Sequence, residues 1–478
     1  MTITPLPMKI KLANASGSVA FGVKDVGFSV FLLTYYNQVL GMEAWLVSLA
    51  LVSALVIDAL VDPFLGSLSD RTYTKWGRRL PWLYIAPIPL AFAWYFLWAP
   101  PVEGPPSFWN LFGLAVLVRL LLSACEVPSV SLVPELTRDY DERTTLFRFR
   151  FLFGWTGGLI SVFLAYNVFL RESLLDREGF EAFGLFGAIV MVVFVLFSAV
   201  TQHKWIAGYP ENRPPPFKLR TVTREIIEAF SEPAFLIFAM GALAAYISQG
   251  MTFALSNYLY YFVWELSEAQ LTIYPLVLFF SVVAVFFCLS GLHRRYGKAK
   301  TGAVATLLAM VFWVIPYALR YAGFWPELGS NASAALLFVF LFISNANGVA
   351  AIISATSMVA EIIEAYQEHS GRRAEGSFYA GNWLVQKCAT GFGILFAGGM
   401  LSLVAFPTGS EQGEVAQPII TNLVLLYCGL VVILGLVSAY WLGRFPIDRA
   451  EHEARLASLD AAARATELAA MPDGGDRL

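Results

Sequence analysis

The chain has 478 residues, of which 58% are hydrophobic and only 14% charged, with a formal net charge of −3. This balance describes a polytopic membrane protein and gives no basic surface of the kind that nucleic acid needs. The 39 Phe, 20 Tyr and 13 Trp suit lipid-facing surfaces and interfacial belts, so they carry no information about a ligand.

The start, MTITPLPMKIKLANASG, has no apolar core followed by a small-residue cleavage site, and no cleaved signal is expected. Apolar runs long enough to cross a bilayer then predict helices near residues 18–40, 44–66, 81–100, 108–134, 147–169 and 180–201. A stretch rich in Pro and charge follows, and six more spans are predicted near 233–263, 268–291, 301–322, 333–359, 377–405 and 418–443. The expected fold is therefore all-α, twelve transmembrane helices in two six-helix bundles. Residues 1–201 form the first bundle and 233–445 the second, with a central loop at 202–232 and a tail at 446–478. Alternate loops carry most of the Lys and Arg, including Arg71, Lys75, Arg78, Arg79, Arg138, Arg143, Lys204 and Arg294, whereas the opposite loops offer Arg171, Arg177 and Arg320. Positive charge collects on the cytoplasmic side, so the central loop and both termini are expected there. Cys125, Cys288, Cys388 and Cys428 lie inside apolar runs, away from metal-ligand spacing, and read as small apolar side chains.

Within the spans a few charges stand out, because each ionised acid at the centre of a membrane helix costs about 2.5 to 3.5 kcal/mol. Asp58 and Asp62 are one turn apart, so their carboxylates share a helix face. Two like charges so placed repel unless a cation sits between them, which is the requirement of a coupling-ion site. The pair suits Na⁺, with further oxygens such as Ser123, or a proton in its place. With about 1.5 Å of rise per residue, Asp25, Asp58, Asp62, Glu126 and Lys387 all fall roughly 5 to 15 Å from the cytoplasmic end of their helices. A cavity between two bundles needs its polar groups at one such depth. Arg119 precedes Glu126 by two turns and reads first as a helix lock, with an acid across the cavity as the other partner. Arg148 and Arg150 open the fifth span, one reaching inward and one anchoring at the interface. Asn257, Ser344, Asn345, Asn347 and Asn382 are neutral polar groups of the second bundle, mostly helix glue. The glycines of GWTGG at 154–158 and GILFAGG at 393–399 permit close helix packing. The four histidines lie outside the spans, and no nucleophile, base and orienting group come together, so no enzyme is expected.

Several stretches in order resemble the glycoside/pentoside/hexuronide:cation symporters, the melibiose permease-like group of the major facilitator superfamily. They are VKDVGFSVFLLTYYNQVLG, IDALVDPFLGSLSDRTYTKWGRRLPW, EVPSVSLVPELTRDYDERTTL and SMVAEIIEAYQEHSGRRAEGSFYAGNWLVQK. The resemblance implies that Asp58 and Asp62, with Ser123 in place of a threonine, form the cation site, and that Asp25 and Glu126 recognise a polar substrate. It further implies that Lys387 tunes the cation site or bridges to substrate, that Arg150 is the family's arginine at the start of the fifth span, and that Gly66, Asp70, Arg71, Gly77, Arg78 and Arg79 belong to the gating loop. Departures are Gln38 and Val61, where relatives carry polar ligands, and Val130 and Ile352, where the galactoside carrier has pocket tryptophans. The expected function is cation-coupled symport, with H⁺ or Na⁺, of a sugar, glycoside or uronide by alternating access across the inner membrane. No cofactor, metal beyond a coupling Na⁺ at Asp58 and Asp62, or obligate protein partner is implied. The rival readings are a lysolipid carrier of the same fold and a non-transporting membrane sensor.

Overall fold

The computed structural model describes residues 6–102, 104–137, 139–208, 227–370 and 374–447. Most of the expected central loop and the tail from residue 448 onward lie outside the described residues. Eleven helices are long and apolar enough to cross a membrane. They are α1 (Met8–Val39), α2 (Ala44–Arg71), α4 (Phe108–Leu136), α5 (Thr145–Phe169), α6 (Arg177–Ile206), α7 (Pro233–Val263), α8 (Glu268–Tyr296), α9 (Lys298–Tyr321), α10 (Asn331–Glu368), α11 (Gly376–Leu403) and α12 (Gln417–Gly443). The third of the twelve expected spans, α3, is present in two pieces, Leu80–Ile85 and Pro87–Trp98. Pro87 has no N–H to give to the preceding turn, so the helix breaks at Ala86, whose backbone stays helical and lets the chain run on. α1 begins ten residues before the expected start at 18, and helix continues past α10's expected end at 359 to Ser370.

The helices divide into two groups of six, and each group is tied by glycine contacts between helices that the sequence separates. In the first, a Cβ on Gly22 of α1 would stand 2.0 Å from the Gly154 carbonyl of α5. In the second, a Cβ on Gly250 of α7 would stand 2.5 Å from the Thr390 carbonyl, and one on Gly393 of α11 would stand 2.3 Å from the Ile247 carbonyl. Only glycine permits backbones this close, which is the packing role read for both glycine-rich stretches.

Between the groups, α2 and α11 run side by side and cross tightly at one end, where a Cβ on Gly398 would lie 1.8 Å from the Ser48 hydroxyl oxygen. This end is sealed. The Asn257 side chain donates to the Val30 carbonyl at 3.0 Å and the Thr34 hydroxyl at 3.1 Å, and accepts from the Tyr166 hydroxyl at 2.6 Å. Tyr258 donates to Asn37 at 2.7 Å, Gln38 donates to the Pro407 carbonyl at 3.0 Å, and the Trp45 amide donates to the Ser402 hydroxyl at 3.0 Å. Here α1, α5 and α7 end in π-helical turns, Tyr35–Val39, Ala165–Phe169 and Tyr258–Val263. The wider turn redirects bulky aromatics into the seam, where Tyr258 and Phe262 meet Phe406 edge-on. Among the described residues, every hydrogen bond joining the two groups lies between this end and Lys387. Polar and aromatic residues do here what apolar packing alone does poorly inside a bilayer.

Candidate functional site

Four helices converge on Asp58, whose side chain is only 5% exposed. Its partner Asp62 lies one turn along α2 with Pro63 beside it, which removes one hydrogen bond from the helix at this point. From α4, Ser123 donates to Asp58 Oδ1 at 2.6 Å, and Arg119, one turn earlier, reaches Asp58 Oδ2 at 3.4 Å. Spacing of four residues puts Arg119 and Ser123 on one face, so α4 addresses both carboxylate oxygens. From α11, Lys387 reaches Asp58 Oδ2 at 2.9 Å and also pairs with Asp62. From α1, the Phe28 ring lies beneath the Arg119 guanidinium, 4.2 Å from its centroid. That contact holds the guanidinium against the acid and covers its far side with a π face. The cation that two adjacent carboxylates require is supplied by the chain itself, as the ammonium of Lys387. Arg119 pairs with an acid and also locks helices, so its two sequence readings describe one arrangement.

Beside this lies a second cluster, centred on Lys24, a residue that sequence reasoning passed over. Its ammonium is 3.1 Å from Glu126 on α4 and 3.1 Å from its neighbour Asp25. Lys24 is buried whereas the Asp25 side chain is 71% exposed, so the acid points away from the packed helices while the base points into them. A lysine two residues before a helix glycine, inside an apolar run, was the available signal. Among the residues expected to recognise substrate, Asp25, Glu126 and Lys387 are therefore placed around one region. Arg150 is not brought to a carboxylate there: it is buried and donates to the Ser129 hydroxyl at 3.0 Å and the Asn14 carbonyl at 3.3 Å. Asn14 in turn donates to Gln202 at 2.9 Å, so Arg150 ties α1, α4, α5 and α6 together. The amides of the second bundle act mainly as glue. Asn345 donates to Ser281 at 2.6 Å and Ser344 to the Ala309 carbonyl at 2.8 Å, while Asn257 belongs to the seal.

The loop after α2 is a clamp built on Arg79. Its guanidinium pairs with Asp70, hydrogen-bonds Ser69, reaches the Gly66 carbonyl at 3.5 Å and meets Glu135 of α4 at 3.4 Å. Arg78 reaches the same Glu135 carboxylate at 3.4 Å. The turn between them needs Gly77, whose φ of +88° is one that side-chain-bearing residues avoid, and Thr74 closes it by donating to the Gly77 carbonyl at 2.9 Å. Five of the six residues expected in the gating loop, Gly66, Asp70, Gly77, Arg78 and Arg79, thus meet in one network. Arg71 ends α2 at the same loop. Arg79→Ala leaves buried acceptors and the Asp70 charge uncompensated and is expected to cost about 3 kcal/mol, read as a lower thermal midpoint by tryptophan fluorescence. Arg79→Lys should recover only part, because one ammonium cannot span the guanidinium fork.

An all-helical chain with two helix groups sealed at one end, and a buried ion-pair network bridging them, defines a membrane transporter of the major facilitator type. The chain belongs to the MFS/sugar transport protein family, whose model matches residues 13–449. Among curated proteins it is similar to an uncharacterized symporter of Synechocystis sp., 25% identical with 81% of this chain and 85% of that protein covered. An isoprimeverose transporter of Lactiplantibacillus pentosus is 24% identical (81% and 78% covered), and a putative sulfoquinovose importer of Escherichia coli 23% identical (91% and 92% covered). Among solved structures, the nucleoside transporter NupG superposes with a TM-score of 0.65 at 14% identity, covering 91% of this chain and 100% of that one. The xylose transporter XylE from E. coli, partially occluded and inward-open, gives 0.62 at 13% identity, covering 92% and 99%. These establish the fold.

Proposed function

We propose that the chain is a cation-coupled symporter, not an enzyme, that carries a sugar, glycoside or uronide by rocking one helix group against the other. One observation carries this reading. Two carboxylates on α2 share a single ammonium from α11, across the seam between the groups. Neutralising one carboxylate with H⁺ or Na⁺ changes how strongly Lys387 holds the groups together, so ion occupancy and the relative position of the halves are linked. Asp25, Glu126 and Lys24 offer charged hydrogen-bonding groups beside that link, which suits a polyhydroxylated solute. Two of the relatives named above are a transporter of isoprimeverose and a putative importer of sulfoquinovose, which supports the sugar class. The alternating lysines and arginines place the Arg71–Arg79 loop and both termini in the cytoplasm, with the inner membrane as the location, so the seal faces outward and this is an inward-facing state.

The test is uptake by proteoliposomes of a panel of glycosides, hexuronates and lysolipids under an imposed proton or sodium gradient. Accumulation of at least one sugar-class solute above its external concentration, collapsing when the gradient is dissipated, is the expected result. Gradient-independent movement of lysolipid with no sugar uptake would replace this reading with the amphiphile carrier.

A further inference from the structure

We propose that Arg119 stands in for a metal coupling ion: it completes the charge and the hydrogen bonds of Asp58 from within the chain and makes the carrier indifferent to sodium. The inference rests on the symport reading and specifies its ion.

Charge is the first argument. Asp58 and Asp62 together carry two negative charges, and Lys387 and Arg119 bring two positive ones within 3.4 Å. The carboxylate pair is thus already neutral, and adding Na⁺ would leave a net positive charge in a buried place, which is costly. Removing Arg119 would return the site to one net negative charge, the state that attracts a cation. The groups around the pair do not change this balance, since Lys24 on α1 and Glu126 on α4 are paired with each other.

Ligand supply is the second. Hard cations are held by several oxygens. Asp58 Oδ1 already accepts from Ser123, and Oδ2 takes both Lys387 and Arg119. Lysine and arginine have no oxygen to offer, and Val61, next to Asp62, has none in its side chain. Among the described residues no three His, Cys, Asp or Glu are grouped to hold a metal. One oxygen is left over: Asp62 Oδ1 is buried with no hydrogen-bond partner. A single free carboxylate oxygen is too little for a sodium ion and sufficient for a proton. Protonating it removes the Asp62 charge, leaving Lys387 held by Asp58 alone. The Phe28 ring under the guanidinium keeps Arg119 from swinging out to yield its place.

The experiment is equilibrium binding of radioactive Na⁺ to the purified full-length protein, with choline balancing ionic strength and no sugar present. Wild type is expected to show no saturable binding. Arg119→Met is expected to gain it, about a hundredfold tighter than any residual wild-type binding, as removal of a unit charge a few ångströms away implies. Arg119→Lys, which keeps the charge, should stay sodium-blind, and Asp62→Asn added to Arg119→Met should remove the gained binding. Saturable sodium binding by wild type would overturn the proposal regardless of how the variants fold. So would a well-folded Arg119→Met protein, monodisperse on gel filtration, that still binds none. Because no sugar enters the assay, its outcome is separate from that of the uptake panel: absence of any sugar uptake would remove the symport reading while leaving the ion preference measured.

Discussion

Asp58→Asn is expected to abolish gradient-driven accumulation and to lower stability by about 3 to 5 kcal/mol, the cost of taking one partner from a buried ion network. Asp58 is the point at which α4 and α11 both attach to α2: Ser123, Arg119 and Lys387 all end on its two oxygens. An amide in its place keeps the Ser123 contact but leaves the Arg119 and Lys387 charges facing each other in a buried site with only Asp62 to offset them. The neighbouring Asp62→Asn separates the two effects. Its side chain is 26% exposed, against 5% for Asp58, and Lys387 is its one hydrogen-bond partner among the described residues. It should lose accumulation as completely while costing clearly less stability. Thermal unfolding followed by tryptophan fluorescence, with uptake under a gradient and counterflow without one, reads both. Full concentrative uptake by either single variant would refute the coupling mechanism.

Gly398→Ala is expected to force the sealed end apart. The added Cβ would lie 1.8 Å from the Ser48 hydroxyl oxygen and 2.5 Å from the Ala44 carbonyl, and the second of these is backbone that cannot turn aside. Overpacking of this kind costs about 1 to 3 kcal/mol, which shifts a two-state equilibrium roughly 5- to 150-fold. Because the clash lies in the seam between the helix groups, the cost falls on the sealed state, and the state in which α2 and α11 separate at this end gains by that factor. The reporter is Thr34→Cys, at a position that is buried and bonded to Asn257 in the seal. Its alkylation by a membrane-impermeant thiol reagent should rise in the Gly398→Ala background. Adding Ser48→Gly should restore part of the protection by removing one of the two clashes. Unchanged alkylation would show that the crossing is not what holds the seal.

The two cases differ in what could be read before the fold was known. The acid pair was visible in the chain, because charge in an apolar run is costly enough to be informative by itself and a spacing of four fixes a shared face. Gly398 was visible only as one of several glycines suited to close packing. Its particular neighbour, Ser48 on a helix three hundred and fifty residues earlier, follows from how the halves cross. Lys24 escaped notice because its neighbour Asp25 drew the reading to an acid. It is the orientation of α1 that turns the base inward and the acid outward. Arg150, matched to a substrate position by resemblance, sits instead among Asn14, Ser129 and Gln202, where α1, α4, α5 and α6 meet.

By itself the sequence determined the bilayer setting, the twelve spans in two groups and the identity of the costly acids. Hydrophobic length and the price of a buried charge are local properties, set by each segment without regard to its neighbours. Only the tertiary structure decided which cations meet those acids. Lys387 and Arg119 come from other helices, and their distances to Asp58 depend on how three helices cross, which no local pattern encodes. The same holds for the seal, whose hydrogen bonds join residues that are distant in the chain and adjacent only when the two groups close.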